Sequence, residues 1–470
     1  MKPTCYILLL VFIFNVNSFA LRNLKKVDIR NMQILYDESI LKIPGNKLNF
    51  GVAVTLKNGE THYTRGFLGG KLTWNNFIIK VEGGKLIGNR ILITEQKCLK
   101  ENQLIIMIKS RFNSLNTCYE IINLNYEKSI KIIPADSIVK APGYSIPVNF
   151  DIKFDNDYVA TINSKTIGNY TLKKLNINSV CGYFKKGALW LSPYPEDFIN
   201  HEAGINVSVV GDSSVTDTFK IVLDYCADYY LPVYTFDGSS GFSGSDGTSG
   251  TSSSSGGDGS DGGDGSNGDD GHTLEVYTDS YFDTILNKTL LKVHIEDISS
   301  DNFWKYLVDP LCGTITIKSY GGDGGGGGNG GSGGDGGKGD DGSYYTETVW
   351  INDSTSVTET RQNPGSSGGN GGDGGDGGDG GNGGNGGDFY IYYTNMSQIY
   401  NGCIKSVSIS GNGGSGGSSG NSGSGGSGGS GNPSGTNGTS GSSGSSGSGG
   451  CSGNKGSIYY HEIESNQFPH

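Results

Sequence analysis

The stretch GSSGGNGGDGGDGGDGGNGGNG, residues 365–386, carries glycine at every third position, and most of its triplets contain a second glycine. A flexible linker needs glycine but gains nothing from glycine held in phase. In a helix of three residues per turn, glycine in phase leaves one side of the helix bare along its whole length. The stretch therefore predicts extended, polyproline-II-type helices whose backbones approach one another closely.

The same phase recurs in three further tracts: 238–271, 321–342 and 411–456. Only Ser253 and Asn432 interrupt it. Collagen also requires glycine at every third position, but it draws its stiffness from proline, and the interior of the tracts contains only Pro433. We therefore predict a bundle of glycine-rich polyproline-II-type helices rather than collagen. The alternative is a disordered glycine-rich tail, because glycine loses the most conformational freedom on folding.

The residues between the phased glycines differ among the tracts. In 321–342 and 365–388 the triplets are mostly Gly-Gly-x, which leaves two sides of a helix bare and suits the interior of a bundle. Residues 236–272 are closer to Gly-x-x and are expected to form a stalk. Strand-like segments such as GTITIKSY and DFYIYYTN border the tracts. Residues 273–470 are therefore expected to form a small β-sheet that carries the bundle.

The N-terminal half of the chain repeats itself. DESILKIPG at 37–45 recurs as ADSIVKAPG at 135–143, and GKLTWNNFII at 70–79 recurs as GNYTLKKLNI at 168–177. Both second copies start 98 residues after the first, from 37 to 135 and from 70 to 168. Alternating apolar residues between Asn-Gly, Gly-Gly and Pro-Gly turns favour antiparallel strands, and a period of this length suits one β-sandwich.

We predict a mainly β chain that begins with two tandem immunoglobulin-like β-sandwiches, 21–128 and 129–235. Matched positions of the two copies are expected to have the same role. The Pro-Gly pairs that end at Gly45 and Gly143 should each turn the chain. Trp74 and Leu172 should be large apolar residues of a central strand that face the core.

The N-terminal pattern of Pro-Gly, FGVAV, NGE, GGKLTW and FIIKVEGGK resembles the immunoglobulin-like segment that precedes glycine-rich, collagen-like tracts in exported proteins of Bacteroidota. The resemblance covers residues 30–95 and the glycine tracts. It implies an exported surface or matrix role, and it transfers no catalytic residue.

Residues 1–20 have one early lysine, an apolar run from Tyr6 to Phe14 and small residues around Ala20. This pattern is typical of a secretory signal peptide, with cleavage expected after Ala20. The apolar run is shorter than the ~20 residues that a spanning helix needs. We therefore expect a secreted or cell-surface protein that is not an integral membrane protein.

The cysteines that remain after cleavage are disulfide candidates in an exported protein. They are Cys98, Cys118, Cys181, Cys226, Cys312, Cys403 and Cys451. Their odd number leaves one thiol free or available for an intermolecular bond. Because the CxxC and Cys/His spacings of zinc ligands are missing, no zinc site is predicted.

The formal net charge of −12 is concentrated in the glycine tracts. With residues 236 and 237 and 387 and 388 included, the tracts hold 15 Asp and two Lys, so the rest of the chain is nearly neutral. Acidic tracts favour solubility and disfavour nucleic acid as a partner.

Few residues are candidates for a site. Asp373, Asp376 and Asp379 stand at intervals of three and could bind divalent cations weakly, although no dedicated metal site is predicted. Three tyrosine pairs are candidates for a binding surface, through stacking on sugars or through packing on the bundle, with packing favoured: Tyr344 and Tyr345, Tyr392 and Tyr393, Tyr459 and Tyr460. Motifs such as GxSxG and GxGxxG arise by chance in glycine-rich sequence, so no catalytic residue and no cofactor are predicted.

The sequence thus predicts a structural or adhesive protein without catalytic activity. Its expected partners are other surface or matrix proteins or glycans. The alternative is an extracellular ligand-binding module that binds carbohydrate. Ice binding is less favoured, because a regular ice-binding face would present Thr or Ala, and the tracts present Asp, Asn and Ser.

Overall fold

The computed structural model describes residues 24–25, 27–66, 68–94, 103–113, 115–136, 138–162 and 171–469. The chain is mainly β, with several sheets and only short 3-10 turns among these residues. The predicted signal peptide lies outside the described residues, as does Cys98. The chain divides into two compact units, and the second comprises Lys140–Pro142, Tyr194–Glu196 and Leu223–His470.

The first half of the first unit contains eight strands: β1 (Ile29–Tyr36), β2 (Lys47–Leu56), β3 (Thr61–Tyr63), β4 (Phe77–Glu82), β5 (Gly84–Ile87), β6 (Arg90–Ile93), β7 (Gln103–Ser110) and β8 (Thr117–Asn123). Antiparallel pairing gives a five-stranded sheet of β1, β2, β3, β5 and β6 and a three-stranded sheet of β4, β7 and β8. Alternate residues of both sheets, such as Phe50 and Leu104, bury one shared apolar core.

The second half of this unit has the same order of strands: β9 (Glu127–Pro134), β10 (Ser145–Phe154), β11 (Val159–Ile162), β12 (Leu175–Val180), β13 (Gly182–Lys185), β14 (Ala188–Leu191), β15 (Glu202–Val209) and β16 (Asp212–Val222). These strands again form one sheet of five and one of three. Strands β9 to β14 each begin 98 residues after their counterparts, as from Ile29 to Glu127. The internal repeat of the sequence is therefore also a repeat of strand positions.

The matched positions are only partly as expected. Gly45 and Gly143 lie in turns with φ of 93° and 79°, a backbone region in which glycine is the favoured residue. Trp74 and Leu172 do not lie in strands, because each begins a 3-10 turn just before β4 or β12. The Trp74 ring still packs against the core, with its centroid 5.1 Å from that of Phe50.

The second unit contains ten strands: β17 (Asp228–Val233), β18 (Leu274–Asp283), β19 (Lys288–Asp297), β20 (Phe303–Val308), β21 (Thr314–Tyr320), β22 (Tyr344–Asn352), β23 (Thr355–Gln362), β24 (Phe389–Thr394), β25 (Ile404–Ile409) and β26 (Ile458–Ile463). Instead of the single small sheet expected, they form a parallel sheet β17-β21-β25, a mixed sheet β20-β19-β18-β24-β26 and a hairpin β22-β23. Strand β17 was expected in the second sandwich but pairs with β21.

The glycine tracts connect these strands as six extended segments: segment 1 (236–251), segment 2 (254–271), segment 3 (321–342), segment 4 (365–387), segment 5 (411–431) and segment 6 (434–456). Ser253 and Asn432, the two breaks in the glycine phase, lie at the reversals between segments 1 and 2 and between segments 5 and 6. The expected stalk over 236–272 is therefore wrong, because this tract folds back on itself and pairs with segments 3 and 4.

The segments form two layers that continue the two sheets. Segments 1, 3 and 5 follow β17, β21 and β25, and segments 2, 4 and 6 lead into β18, β24 and β26. The residue-by-residue alignment of the parallel strands also continues into the glycine segments. Asp228 pairs with Thr314 at a separation of 86 residues, and Asp323 binds Asp237 at the same separation. The parallel strands thus set the alignment of the glycine segments.

The triplet 371–373 shows how the segments are held together. The first glycine donates its N–H to the carbonyl of Thr439 in the same layer, and the second donates to Gly334 in the other layer, both at 2.8 Å. The N–H of Asp373 donates to Oδ1 of Asp258 at 2.8 Å. All three N–H groups of the triplet therefore have a partner, as extended chains without internal hydrogen bonds require.

The number of glycines in a segment follows its number of neighbours. Segments 3 and 4, with mostly Gly-Gly-x triplets, each bond to four other segments, whereas segments 1 and 6 each bond to two. A Cβ on Gly328 or Gly375 would overlap a carbonyl of a neighbouring segment in the same layer, but a Cβ on Gly326, at an x position, has its nearest neighbour at 3.5 Å. The buried residues of these two layers are glycines rather than large side chains.

Candidate functional site

The three aspartates predicted to bind cations take part in the structure of the glycine layers. Oδ1 of Asp373 accepts the N–H of Ser442 at 2.6 Å, and Asp376 and Asp379 accept the equivalent N–H groups of segment 6 at 2.6 Å. The hydrogen bond from the Ser442 backbone holds the pKa of Asp373 below its usual value. The spacing of three thus serves backbone hydrogen bonding, and cation binding by these carboxylates stays a prediction.

Five aromatic rings form a row across the mixed sheet of the second unit. The centroid of Tyr277 lies 4.7 Å from that of Tyr392, which lies 5.3 Å from that of His461. His294 meets Tyr277 edge-on at 6.2 Å and stacks on Phe303 at 5.8 Å. The row runs through all five strands of the sheet, because these residues stand on the same side of neighbouring strands.

A second, shorter row lies beside the first. Tyr390 stacks on Tyr459 at 5.0 Å, and Glu275 lies opposite Tyr390 in the sheet. Glu275 accepts hydrogen bonds from the hydroxyls of Tyr277 at 2.5 Å and Tyr392 at 3.2 Å. Burial, and then the carboxylate, raise the pKa of both hydroxyls.

This arrangement uses most of the aromatic surface internally. The rings of Tyr392 and Tyr459 stack on their neighbours with interplanar angles of 16–26°. Their faces are therefore partly covered by other rings, which agrees with packing rather than with a platform for a sugar. Tyr277, Tyr390 and His461 were missed by sequence reasoning. Alternation shows which side of a strand each residue takes, but not which strands are neighbours.

A cleft of about 500 Å³ lies at one end of the first row. Glu275, His294, Glu296, Phe303 and Lys305 are among its lining residues. Nε2 of His294 lies 2.8 Å from a carboxylate oxygen of Glu296. Nδ1 of the same ring is buried and has no hydrogen-bond partner among the described residues. Such a cleft with carboxylates, a histidine and an aromatic ring is suited to a small polar ligand.

The remaining predicted tyrosines lie elsewhere. Tyr393 and Tyr460 follow Tyr392 and Tyr459 directly, and so stand on the opposite side of the same sheet. Tyr344 and Tyr345 belong to the hairpin β22-β23. The three predicted pairs therefore do not form one surface.

The hairpin is the most exposed strand pair of the second unit. Nearly every residue of β22 and β23 is exposed, including Trp350 and Tyr344, with relative exposures of 67% and 73%. Segment 3 leads from β21 to the hairpin and segment 4 returns to β24. The hairpin therefore lies at the far end of the glycine layers from the two sheets.

The two faces of the hairpin differ in chemistry. Four threonines in two cross-strand pairs, Thr346 with Thr360 and Thr348 with Thr358, lie on one face. The other face has Arg361, which forms ion pairs with Glu347 at 2.9 Å and Glu359 at 3.2 Å. Because side chains alternate between faces, the charged residues are separated from the threonines.

One disulfide is present among the described residues, between Cys226 and Cys312 in the second unit. The other described cysteines are free thiols rather than the disulfide partners expected: Cys118, Cys181, Cys403 and Cys451. Cys118 donates to the carbonyl of Ile108, and burial raises its pKa to about 11. Among the described residues, one group of potential metal ligands is close together, Cys226, Asp309 and Cys312, and the disulfide uses both of its sulfurs.

Comparison with protein-family models gives no match to this chain. Comparison with curated proteins gives no match either. Among the described residues, no helix has the length and apolar composition needed to cross a membrane. The geometry of the second unit therefore carries the functional argument.

Proposed function

We propose that this chain is an exported adhesive and structural protein without catalytic activity. In this proposal the six glycine segments are polyproline-II-type helices packed in two layers, and they hold the hairpin away from the two sheets. The observation that carries the proposal is the hydrogen bonding of triplets such as 371–373, in which every N–H has a partner in a neighbouring segment.

A scaffold of this kind is stiff for a physical reason. Each segment is tied to its neighbours at every third residue along its length, so bending one segment would break several hydrogen bonds together. A stiff support keeps an exposed binding element in a fixed orientation, which lowers the entropy lost on binding. The repeated sheets of the first unit are proposed to be immunoglobulin-like sandwiches that act as spacers.

Export is supported by two features. The N-terminal sequence has the pattern of a signal peptide, and Cys226 forms a disulfide with Cys312. Disulfides persist mainly in oxidising compartments outside the cytosol. Surface or matrix molecules, including glycans, are therefore the proposed partners.

A ligand-binding module is the second candidate. The observation that favours it is the cleft beside His294, where carboxylates and the exposed ring of Phe303 surround a space large enough for a sugar unit. In this alternative the glycine layers would support the mixed sheet rather than the hairpin.

Hydrogen exchange and adhesion measurements on the full secreted chain test the proposal. We expect slow exchange of the glycine amides in segments 3 and 4, together with a polyproline-II circular dichroism signal that melts cooperatively. Binding to extracellular-matrix or cell-wall surfaces should be lost when β22 and β23 are replaced by a short Gly-Ser loop. Fast exchange throughout the tracts, or adhesion that is unchanged by the replacement, would contradict the proposal.

A further inference from the structure

We propose that the threonine face of the β22-β23 hairpin binds a neutral, extended polysaccharide chain. This inference rests on the proposed adhesive function and specifies its ligand. The face is formed by four cross-strand pairs of uncharged residues: Tyr344 with Gln362, Thr346 with Thr360, Thr348 with Thr358, and Trp350 with Ser356.

The threonine hydroxyls are available to a ligand. Threonine is common in exposed strands because of its β-propensity, so threonine content alone would identify no site. Here none of the four hydroxyls takes part in a hydrogen bond among the described residues. Each hydroxyl can both donate and accept, which matches the hydroxyl groups of a sugar.

The two aromatic rings distinguish this face from an ordinary exposed strand. Trp350 and Tyr344 are 67% and 73% exposed, and neither stacks on another ring of the described residues. Tyrosine and tryptophan are enriched at binding interfaces because each combines a large apolar ring with a polar group. A ring with a free face can bury the apolar side of a sugar, which the stacked tyrosines of the mixed sheet cannot do as well.

The length of the face selects a chain rather than a single sugar. Tyr344 and Trp350 are six positions apart on one strand, which corresponds to about 20 Å at ~3.4 Å per residue. A single sugar ring cannot contact both aromatic rings. An extended polymer can contact both rings and the threonines between them at the same time.

Charge selects a neutral polymer. No charged side chain stands on the threonine face, and the charges of the opposite face are paired with each other through Arg361. The glycine layers behind the hairpin are strongly acidic, which would repel an anionic polymer. A protein strand added to an open edge of the hairpin is the competing occupant, and it is favoured if no neutral polymer binds while adhesion through the hairpin is retained.

The test is affinity electrophoresis and calorimetry of the full chain with dextran, a β-1,3-glucan and a galactomannan as neutral probes, and alginate as the anionic probe. We expect a neutral polymer to bind with an affinity that changes little with salt, since no charge pairs form. Tyr344→Ala and Trp350→Ala should each weaken binding by about tenfold, as loss of a partly buried ring predicts.

Tyr345→Ala is the matched control, because Tyr345 is the adjacent tyrosine on the opposite face. It should change binding by less than about twofold, as expected for a residue outside the contact. Unchanged circular dichroism of every variant checks that the hairpin and its support still fold. The double variant Thr348→Val and Thr358→Val removes hydroxyls at nearly constant shape and should also weaken binding.

Three results would overturn the inference: binding of alginate alone, equal losses for the Tyr344 and Tyr345 variants, or no binding of any neutral polymer. If the chain then still adheres to surfaces through its hairpin, the ligand is wrong but the adhesive function stands. If adhesion survives replacement of the hairpin, the proposed function itself fails.

Discussion

The first unit and the glycine layers of the second unit are ordered in opposite ways. In the first unit, large side chains such as Phe50 and Phe150 are fully buried between two sheets. In the glycine layers the buried residues are glycines, and backbone hydrogen bonds connect the chains. The first arrangement depends on the side chains that are present, and the second depends on side chains that are missing.

The comparison shows what each arrangement tolerates. An apolar core loses stability when a large side chain is removed, because a cavity is left behind. The glycine layers accept Asp, Asn, Ser or Thr at the outward positions, but they accept no Cβ at the positions where a neighbouring carbonyl lies against the chain. Each closely packed glycine thus has the same importance here as a buried phenylalanine has in the first unit.

Phe150→Ala is expected to have the largest effect, because Phe150 is fully buried in β10. Loss of this ring should lower the free energy of unfolding of the first unit by about 4 kcal/mol. Denaturant unfolding followed by circular dichroism measures the change. Val159→Ala in the neighbouring strand, at a half-exposed position, is the control and should cost under about 1 kcal/mol. Similar losses for the two variants would contradict the assignment of the core.

Gly375→Ala tests whether an added side chain destabilises the glycine layers. The added methyl group would overlap the carbonyl of Ser260, and we expect a loss of about 3 kcal/mol in the second unit. Gly326→Ala adds the same group with 3.5 Å to its nearest neighbour and should be nearly neutral. Thermal unfolding of both variants gives the comparison. Equal melting temperatures of the two variants would mean that the layers are not closely packed.

Asp373→Ala tests the side-chain contribution to the layers. It removes the acceptor of the Ser442 N–H at 2.6 Å, and since this hydrogen bond is exposed to water we expect a loss of stability smaller than that of Gly375→Ala. Asp373→Asn keeps an oxygen at the same place and should restore most of the stability. Faster hydrogen exchange of the Ser442 amide in Asp373→Ala, but not in Asp373→Asn, would show that the loss of stability arises at this hydrogen bond. No difference between Ala and Asn would contradict a role in hydrogen bonding.

The smallest expected effect is an acid-dependent loss of stability. Backbone N–H groups of Ser442 and Ser430 lower the pKa of Asp373 and Asp341 from the usual 3.8. A lowered folded pKa stabilises the protein above the unfolded pKa, and this stabilisation is lost as the pH falls below 3.8 through the lowered values. The melting temperature of the second unit should thus fall slightly below about pH 4. Asp373→Asn should reduce the dependence of the melting temperature on pH, and an unchanged dependence would exclude Asp373 as a contributor.

Local patterns predicted many elements of this chain correctly. The repeat of 98 residues recurs in the starts of β9 to β14, and alternating segments such as GTITIKSY form strands where expected. The glycine phase predicted extended chains in close contact. Alternation and the glycine phase involve residues two or three positions apart, and the repeat appears when the sequence is compared with itself, so none of these features requires knowledge of which distant segments meet.

The candidate site was predicted less well for the same reason. Asp373, Asp376 and Asp379 suggested cation binding, but their role as acceptors for segment 6 depends on a chain about 70 residues away. Tyr344 was a predicted binding residue, yet its association with Trp350 and the threonines of β23 depends on the hairpin register. The two breaks in the glycine phase marked the chain reversals, a signal that the sequence contained and the prediction did not use.

The sequence by itself determined which side of each glycine segment is bare, because glycine recurs at every third residue and the segments bond to their neighbours with the same period. It did not determine which segments are neighbours. Successive triplets are nearly identical, so a shift of three residues along a segment changes few local contacts. The tertiary structure removed this ambiguity through the distinctive side chains of the parallel strands, which hold β24 and β26 at a separation of 69 residues and keep segments 4 and 6 at the same separation.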